Sequence, residues 1–353
     1  MNGNPSATLP ARLWASLFGD SIRTAITILL ALFVVFVGPE LLNWLLLDAT
    51  WSGSAESCRT NGGACWAFIG VKLNQIVFGA YPTPELWRPI LFLAILVVIA
   101  IFAYQRPRHI RTVFVSLVVA LIVGVVLMRG DVLGLQRVDS ARWGGLPITM
   151  IVTLAGLGSA FPLGVLLMLG GASDNPALRV PCRLYVDIVR GIPAITLVFM
   201  TFAIVPLLLP QGMMIDKLQR AALGLTFLTA AYVAEALRGA LEALPRGQRE
   251  AAAALGLGYW QTQALIILPQ VIANSMQPLA NIAIAFVKNT SLLIIIGLFD
   301  LLGAARSSLF DGDWQGFYRE LYLFVGFIYL LICLFLEAYV AKMDSERRAR
   351  IYR

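Results

Sequence analysis

Charge is scarce in this chain of 353 residues. Only 13% are Asp, Glu, Lys or Arg, against 59% apolar residues, and the mean hydropathy is +0.80. A soluble domain carries about 25% charged residues and about 45–50% apolar ones. An ordinary soluble enzyme is excluded, and so is a disordered chain, which needs low hydrophobicity and high net charge. Histidine occurs once, as His109 in the basic stretch Gln105–Arg111. A lone histidine supplies neither a His-based zinc site nor a Ser-His-Asp arrangement, and it reads as a positive loop residue. The lysines are Lys72, Lys217, Lys288 and Lys342, and none follows a glycine. The GxxxxGK[ST] phosphate loop is therefore absent. If ATP drives this protein, another subunit binds it. Cysteine occurs four times. Cys182 is expected in a short loop, and Cys333 lies in an apolar run, where a free thiol packs as a small hydrophobe. Cys58 and Cys65 share a polar Gly/Ser/Asn-rich loop. They would form a disulfide if that loop faces an oxidising compartment, and would otherwise be two unpaired thiols.

What is abundant is apolar sequence in long runs. A helix needs about 20 apolar residues to cross about 30 Å of hydrocarbon. Eight apolar segments stand out, near 24–47, 89–104, 112–128, 147–170, 192–210, 221–241, 271–298 and 320–341. The expected fold is all-α, a polytopic membrane protein of about eight transmembrane helices. The first segment is longer than a signal-peptide core, and Asn43, Trp44 and further leucines follow it rather than a small-residue cleavage site. Orientation follows the cations. One set of connections holds Arg12, Arg23, Arg106, Arg108, Arg111, Arg179, Arg183, Arg190, Arg238, Arg246, Arg249 and the tail from Lys342 to Arg353. That set carries sixteen cations, against ten in the other. The bias puts both termini in the cytoplasm and the Cys58–Cys65 loop outside. The net charge of +7 then reflects membrane topology. Nucleic acid is not an expected partner, because no basic face with interleaved aromatics appears. Membrane lipid is.

The chain divides near residue 145. Residues 1–145 form an extension with three spans and a long outer loop, roughly 48–88. Residues 146–342 form a core of five spans interrupted by Gly, Pro and polar residues, and 343–353 form a basic cytoplasmic tail. Between spans six and seven, Pro245 and Gly247 precede a short helix with Glu250 in its first turn, where a carboxylate suits the helix dipole. Four alanines give it high propensity and little bulk. Gly256 and Gly258 then permit a left-handed turn, and a second short helix, Tyr259–Leu268, is expected to end before Pro269. The spacing is Glu250-Ala251-Ala252, three residues, Gly256, nine residues, Ile266, one residue, Leu268-Pro269.

This pattern resembles the EAA loop of the membrane subunits of ABC importers. Ala231-Tyr232-Val233-Ala234-Glu235, Arg238-Gly239, Gly247-Gln248, Pro278, Asn281, Lys288-Asn289-Thr290-Ser291-Leu292 and Arg190-Gly191-Ile192-Pro193 are similar to the polar amino-acid permease branch, although Ile192 departs from that branch's usual Thr. The extra three spans resemble the longer, M-type permease of general L-amino-acid importers of Gram-negative bacteria. The resemblance implies a type I importer core over 146–342 in a bacterial inner membrane. It implies a permease subunit that translocates L-amino acids and is not itself an enzyme. It further implies a second permease subunit, cytoplasmic ATPase subunits holding Mg-ATP, a periplasmic amino-acid-binding protein, and no cofactor or metal on this chain. Glu250, Ala251, Ala252, Gly256 and Gly258 would form the ATPase-coupling loop.

Polar residues inside spans are candidates for the translocation pathway or its gate: Thr229, Tyr232, Glu235, Lys288, Asn289, Thr290 and Ser291. An intramembrane cation such as Lys288 marks function by default. It could face Glu235 or a substrate carboxylate, or it could serve a structural pair. Glu235 and Arg238 share a helix face, as do Asp187 and Arg190, read as a local pair. A secondary transporter acting without an ATPase needs coupling-ion carboxylates at the midplane, and the acids here lie near span ends. An assembly or scaffold subunit is the other alternative, for which the outer loop would serve.

Overall fold

The computed structural model describes Trp14 and residues 17–132, 134–210 and 215–351. Arg12 and Arg353, counted in the charge balance, lie outside the described residues. The described chain is helical, and its only β-type contacts are the isolated bridges Thr50–Cys65 and Gly145–Asp300. In order, the helices are α1 (Ser21–Leu42), α2 (Ala55–Asn61), α3 (Trp66–Phe78), α4 (Trp87–Gln105), α5 (Ile110–Arg129), α6 (Gly145–Gly171), α7 (Pro176–Gly191), α8 (Ala194–Leu208), α9 (Lys217–Glu242), α10 (Gly247–Ala254), α11 (Tyr259–Thr262), α12 (Leu268–Asn274), α13 (Met276–Asn289), α14 (Leu301–Ser307) and α15 (Tyr318–Ile351). Seven of the described helices are long and apolar enough to cross a membrane, and an eighth span is present if α7 and α8 count as one.

The chain forms two compact units. The first comprises residues 1–71 and 312–320. Its α1 is extended by a π-helical turn, Asn43–Leu47. The stretch expected as an open outer loop is instead helical, with α2 and α3 beginning in it. Ser54 caps α2, accepting from the Ser57 N–H, and Gly62 ends that helix in the left-handed region. Cys58 and Cys65 are bonded to each other, with Cα atoms 5.4 Å apart. The segment near residue 315 returns to this pair across more than 240 positions. The Phe68 ring lies 5.8 Å from Trp314 and 5.9 Å from Phe317. The Cys65 N–H donates to Glu320 Oε1 at 3.0 Å, and Arg59 donates to the Asp313 carbonyl at 2.8 Å. Phe68, Trp314 and Phe317 are buried, so aromatic area supplements the covalent link.

The second unit comprises residues 72–311 and 321–353. Small residues let its helices approach closely, as membrane helix pairs require. Gly124 on α5 receives the Phe92 ring of α4. Gly156 on α6 receives the Phe286 ring of α13, and Gly164 on α6 faces Val233 of α9. Thr226 of α9 donates to the Gly156 carbonyl at 3.4 Å. The contacts 156 with 226 and 164 with 233 advance together, so α6 and α9 run parallel, side by side. The apolar core around them contains Ile148, Val152, Leu225, Phe286 and Leu293 toward one end and Met168, Leu237, Ile267 and Val271 toward the other.

The second unit departs from the sequence expectation in its span boundaries as well. The fifth span is preceded by α7, a 16-residue amphipathic helix started by Asn175 and Pro176, and α7 and α8 meet at 111°. Gly191-Ile192-Pro193 makes the bend, since a residue before proline is driven out of the helical region. Ile192 is extended there, with φ −90° and ψ 134°. Cys182 accordingly lies on α7 and not in a loop. The seventh span, expected over 271–298, breaks at Ser275 between α12 and α13, and Thr290–Ile296 continues as 3-10 helix. The second coupling-loop helix does not stop at Pro269. After α11 the chain passes through a π turn, Gln263–Ile267, into α12, where Pro269 falls in the first turn and needs no N–H partner.

Candidate functional site

The segment between α9 and α12 is a short, exposed helical hairpin. Glu250 sits in the first turn of α10. Its C-terminus closes with two reversed bonds: the Leu257 N–H donates to the Ala252 carbonyl at 3.1 Å, and the Gly256 N–H donates to Ala253 at 2.9 Å. This is the Schellman arrangement, and Gly256 occupies its left-handed position with φ +72°. Gly258 does not share that conformation. Its φ is −68°, and its N–H donates to Gln261 Oε1 at 3.0 Å at the head of α11. The expectation of a left-handed Gly258 is thus corrected: one αL residue already completes the turn.

One face of α10 is held and the other is free. Ala252 is fully buried, and α10 packs against the π turn Gln263–Ile267. Glu250, Ala251, Ala253, Ala254 and Gly256 are exposed. Leu255, Tyr259, Trp260 and Leu265 are also exposed, Leu255 by 77% and Trp260 by 71%. Ile267 is buried with Leu237 and Leu241 of α9 and Val271 of α12. The Ser275 hydroxyl donates to the Ala236 carbonyl at 3.3 Å. The hairpin is therefore built into the same packed cluster as the ends of α9 and α12.

Glu235 lies on α9 between Ala234 and Leu237 of this cluster. Arg238 grips it with two bonds, Nε to Oε2 at 2.8 Å and Nη2 to Oε1 at 2.7 Å, and also reaches Glu242 at 2.6 Å. Arg190, at the end of α7, pairs with the same Glu235 Oε1 at 3.2 Å, and its guanidinium lies 5.9 Å from the Tyr232 ring centroid. Arg190 thus pairs with α9 rather than with Asp187, because the α7 end lies against α9. A cavity of about 220 Å³ opens beside this cluster, lined by Met168, Cys182, Arg183, Asp187, Glu235 and Arg238, among others.

The candidate pathway residues do not converge on one point. Tyr232 and Glu235 belong to the arginine cluster. Thr229 is buried within α9. Lys288 is exposed in the last turn of α13 and, among the described residues, has no ion-pair partner. Glu235, its expected counter-charge, is occupied by two arginines. Asn289 is half-buried beside it, and the Ser291 hydroxyl donates to the Lys288 carbonyl at 2.7 Å. Thr290 turns inward and is fully buried.

Thr290 leads to a second polar cluster, which the sequence did not suggest. Its hydroxyl donates to Asp300 Oδ2 at 3.3 Å, and the Tyr329 hydroxyl donates to the same oxygen at 2.8 Å. Asp300 Oδ1 accepts the Gly303 N–H at 2.9 Å and so caps α14. The neighbouring Leu301 N–H donates to Thr149 Oγ1 on α6 at 3.0 Å. Asp300, Thr290 and Thr149 are all fully buried. Burial pushes the Asp300 carboxyl above its ordinary value, opposed by the Gly303 N–H and the Tyr329 and Thr290 hydroxyls. A capping Asp ahead of an apolar turn was a readable signal for the start of α14, but its partners are brought from three other elements.

Comparison with known proteins places this architecture. The family described as "Binding-protein-dependent transport system inner membrane component" matches residues 160–349. The inner membrane amino-acid ABC transporter permease protein YhdY of Escherichia coli K12 is 41% identical over 310 residues, covering 87% of this chain and 84% of that protein. The glutamate/glutamine/aspartate/asparagine transport system permease protein BztC of Rhodobacter capsulatus is 32% identical, covering 95% of this chain and 92% of its own length. A solved structure described as an amino acid ABC transporter with histidines superposes with a TM-score of 0.50 at 24% identity, covering 57% of this chain and 92% of that one. That likeness concerns the fold.

Proposed function

This chain belongs to the family of binding-protein-dependent transport system inner membrane components, and from that premise we propose how its geometry serves transport. It is a multi-pass inner-membrane permease subunit of an ATP-driven amino-acid importer, not an enzyme. Mg-ATP is bound and hydrolysed by separate ATPase subunits in the cytoplasm. A soluble binding protein delivers the amino acid from the periplasm, and a second permease subunit completes the pathway. Both termini and the α10 hairpin face the cytoplasm, and the Cys58–Cys65 region faces the periplasm.

The observation that carries the coupling role is the held-and-free character of α10. Its alanine face is exposed with almost no side-chain bulk, so another protein can approach its backbone. Its Ala252 face is locked against the π turn. A displacement of α10 therefore moves the Gln263–Ile267 turn and, through Ile267 and Val271, the ends of α9 and α12. Arg190 carries that motion from α9 to α7 through Glu235. Alternating access then follows as a two-state rocking of these helices. Lys288 and Ser291, together with Tyr232, are the polar groups available to a zwitterionic substrate once a second permease is present.

The test is ATP-dependent amino-acid uptake in vesicles holding the full complex. Glu250→Lys and Gly256→Asp should each reduce uptake by more than about tenfold, a loss of roughly 1.4 kcal/mol or more of coupling. The ATPase subunits should still copurify. Uptake unchanged in both variants would refute the coupling role of the hairpin.

A further inference from the structure

A second, larger cavity of about 560 Å³ lies at the other end of α9. It opens where α5 of the three-span extension meets α6 and α9 of the core. Its walls are apolar, formed by Leu121 and Val125 of α5, Ile151 and Ala155 of α6, and Leu218 and Ala222 of α9. Its rim is ionic, formed by Arg129, Arg137, Asp139, Ser140 and Asp216. From Arg129 to Leu121 is eight residues, or about 12 Å along a helix, and from Asp216 to Ala222 is about 9 Å. A hydrocarbon leaflet is about 15 Å deep, half of the 30 Å core. The cavity thus starts at the membrane boundary and runs most of one leaflet inward. Its volume falls within the range of about 300–1,000 Å³ usual for ligand sites. Ile122 and Val126, next to its α5 wall, are exposed on the lipid-facing side.

The rim charges are arranged for a headgroup of both signs. Arg129 and Arg137 share one carboxylate, Asp131, at 3.8 and 3.6 Å. A direct charge-assisted bond is about 2.7–2.9 Å, so the two guanidiniums keep donors for a phosphate. Asp131 holds a left-handed conformation, φ 65°, in a turn closed by the Asp131 N–H to Leu135 carbonyl bond and the Val138 N–H to Arg129 carbonyl bond. Backbone strain of this kind persists where the surroundings enforce it, and here it fixes the spacing of the two arginines. Also on the rim, Asp139 accepts the Ala141 N–H at 2.9 Å, and Asp216, which caps α9, accepts the Ser140 hydroxyl at 2.6 Å. These carboxylates suit an ammonium group that donates hydrogen bonds.

The geometry points to a binding site for one ethanolamine-headed phospholipid of the outer leaflet. Its phosphate sits on Arg129 and Arg137, its ammonium on Asp139 and Asp216, and one acyl chain lies between α5, α6 and α9. The lipid fills the seam between the extension and the core. An anionic glycerol headgroup would leave the two aspartates facing no cation, and a choline headgroup has no N–H to donate. The leaflet assignment rests on the cytoplasmic placement of α10, since the cavity lies at the opposite end of α9.

The test uses the full complex in nanodiscs carrying acyl-chain diazirine probes of phosphatidylethanolamine, phosphatidylglycerol or phosphatidylcholine. The ethanolamine probe should label the segments 121–129, 151–155 or 216–222 about fivefold more than the other two, about 1 kcal/mol of preference. Ala222→Phe, which fills the apolar part, should remove the label. Arg129→Gln combined with Arg137→Gln, both exposed, should lower it to the level of the glycerol probe. Equal labelling by all three lipids, or labelling unchanged in both variants, would overturn the site. Displacement by free amino acid or by soluble glycerophosphoethanolamine would overturn its assignment to a membrane lipid. The readout needs no ATP, so failed uptake coupling leaves it intact. A membrane-impermeant maleimide reaching Arg137→Cys and Glu250→Cys from the same side would overturn the topology and the leaflet together.

Discussion

The two polar clusters of the second unit sit at opposite ends of the parallel pair α6 and α9 and are built on opposite principles. The Asp300 cluster touches Thr149, near the start of α6. The Glu235 cluster lies near the level of Gly164, which faces Val233, roughly 25 Å further along. Around Asp300, one acid meets hydroxyls and a backbone N–H, and Asp300, Thr290 and Thr149 are fully buried while Tyr329 is half-buried. Around Glu235, two arginines and two acids compete for each other while remaining partly exposed. A buried network breaks at high cost because an orphaned group has no water to turn to. A half-exposed ion cluster can exchange partners with water at little cost. The first suits a fixed point and the second a joint, and the joint is the one beside the α10 hairpin.

Substitutions at the two ends should separate these roles, and the largest effect belongs to Asp300→Ala. It strands the Tyr329 hydroxyl and the Gly303 N–H, at about 1–3 kcal/mol each, while the Thr290 hydroxyl keeps the Val287 carbonyl at 2.9 Å. The expected result is a fall of several kcal/mol in stability, read as a lower melting temperature of the purified complex. If the Asp300 end were as adaptable as the Glu235 end, that drop would be absent. Next comes Gly164→Val, which drives a side chain into Val233 where α6 and α9 cross. Overpacking of this kind costs about 1–3 kcal/mol, seen by the same melt. Glu235→Gln should then reverse the pattern. Its melting temperature should move by less than about 1 kcal/mol equivalent, while uptake falls because Arg190 and Arg238 no longer share a charge. A large stability loss with normal uptake would make Glu235 another fixed point. Gly256→Ala forces a Cβ into the left-handed region, about 1–2 kcal/mol of local strain. The hairpin should fray without global unfolding, measured as faster hydrogen exchange at Leu255 to Leu257.

The smallest effect concerns pH. Because burial raises the Asp300 carboxyl in the folded protein, the fold favours its protonated form. That stabilisation is complete below the ordinary value of 3.8 and is lost as pH rises through the folded value. Asp300→Asn cannot ionise. Its melting temperature should stay flat over the interval in which the parent declines, and a parallel decline in both proteins would remove Asp300 as the cause.

The span pattern was legible because apolar runs of 20 residues have few other uses. The α10 turn was legible because Glu250, four alanines and Gly256 are local signals for propensity and for a cap. What stayed hidden depends on partners distant in sequence. In sequence Arg190 reads as the local partner of Asp187, three residues away, and only the packing of α7 against α9 gives it to Glu235. Asp300 and Tyr329 read as unrelated polar residues. The packing of 312–320 on the Cys65 region joins positions some 250 apart, and no local rule pairs them. The π turn at Gln263–Ile267 was missed because proline was read as a stop, while the structure uses it in the first turn of a new helix.

The parallel course of α6 and α9 has a topological consequence. Two neighbours that traverse the bilayer in the same sense must be separated by an odd number of crossings. Among the described residues, the apolar helix between them is α8, and α7 meets it at 111°, so the return crossing falls to this bent pair with α8 as its apolar arm. Its 15 residues reach about 22 Å, short of a hydrocarbon layer of about 30 Å. The bent α7 therefore has to supply the remainder of the crossing.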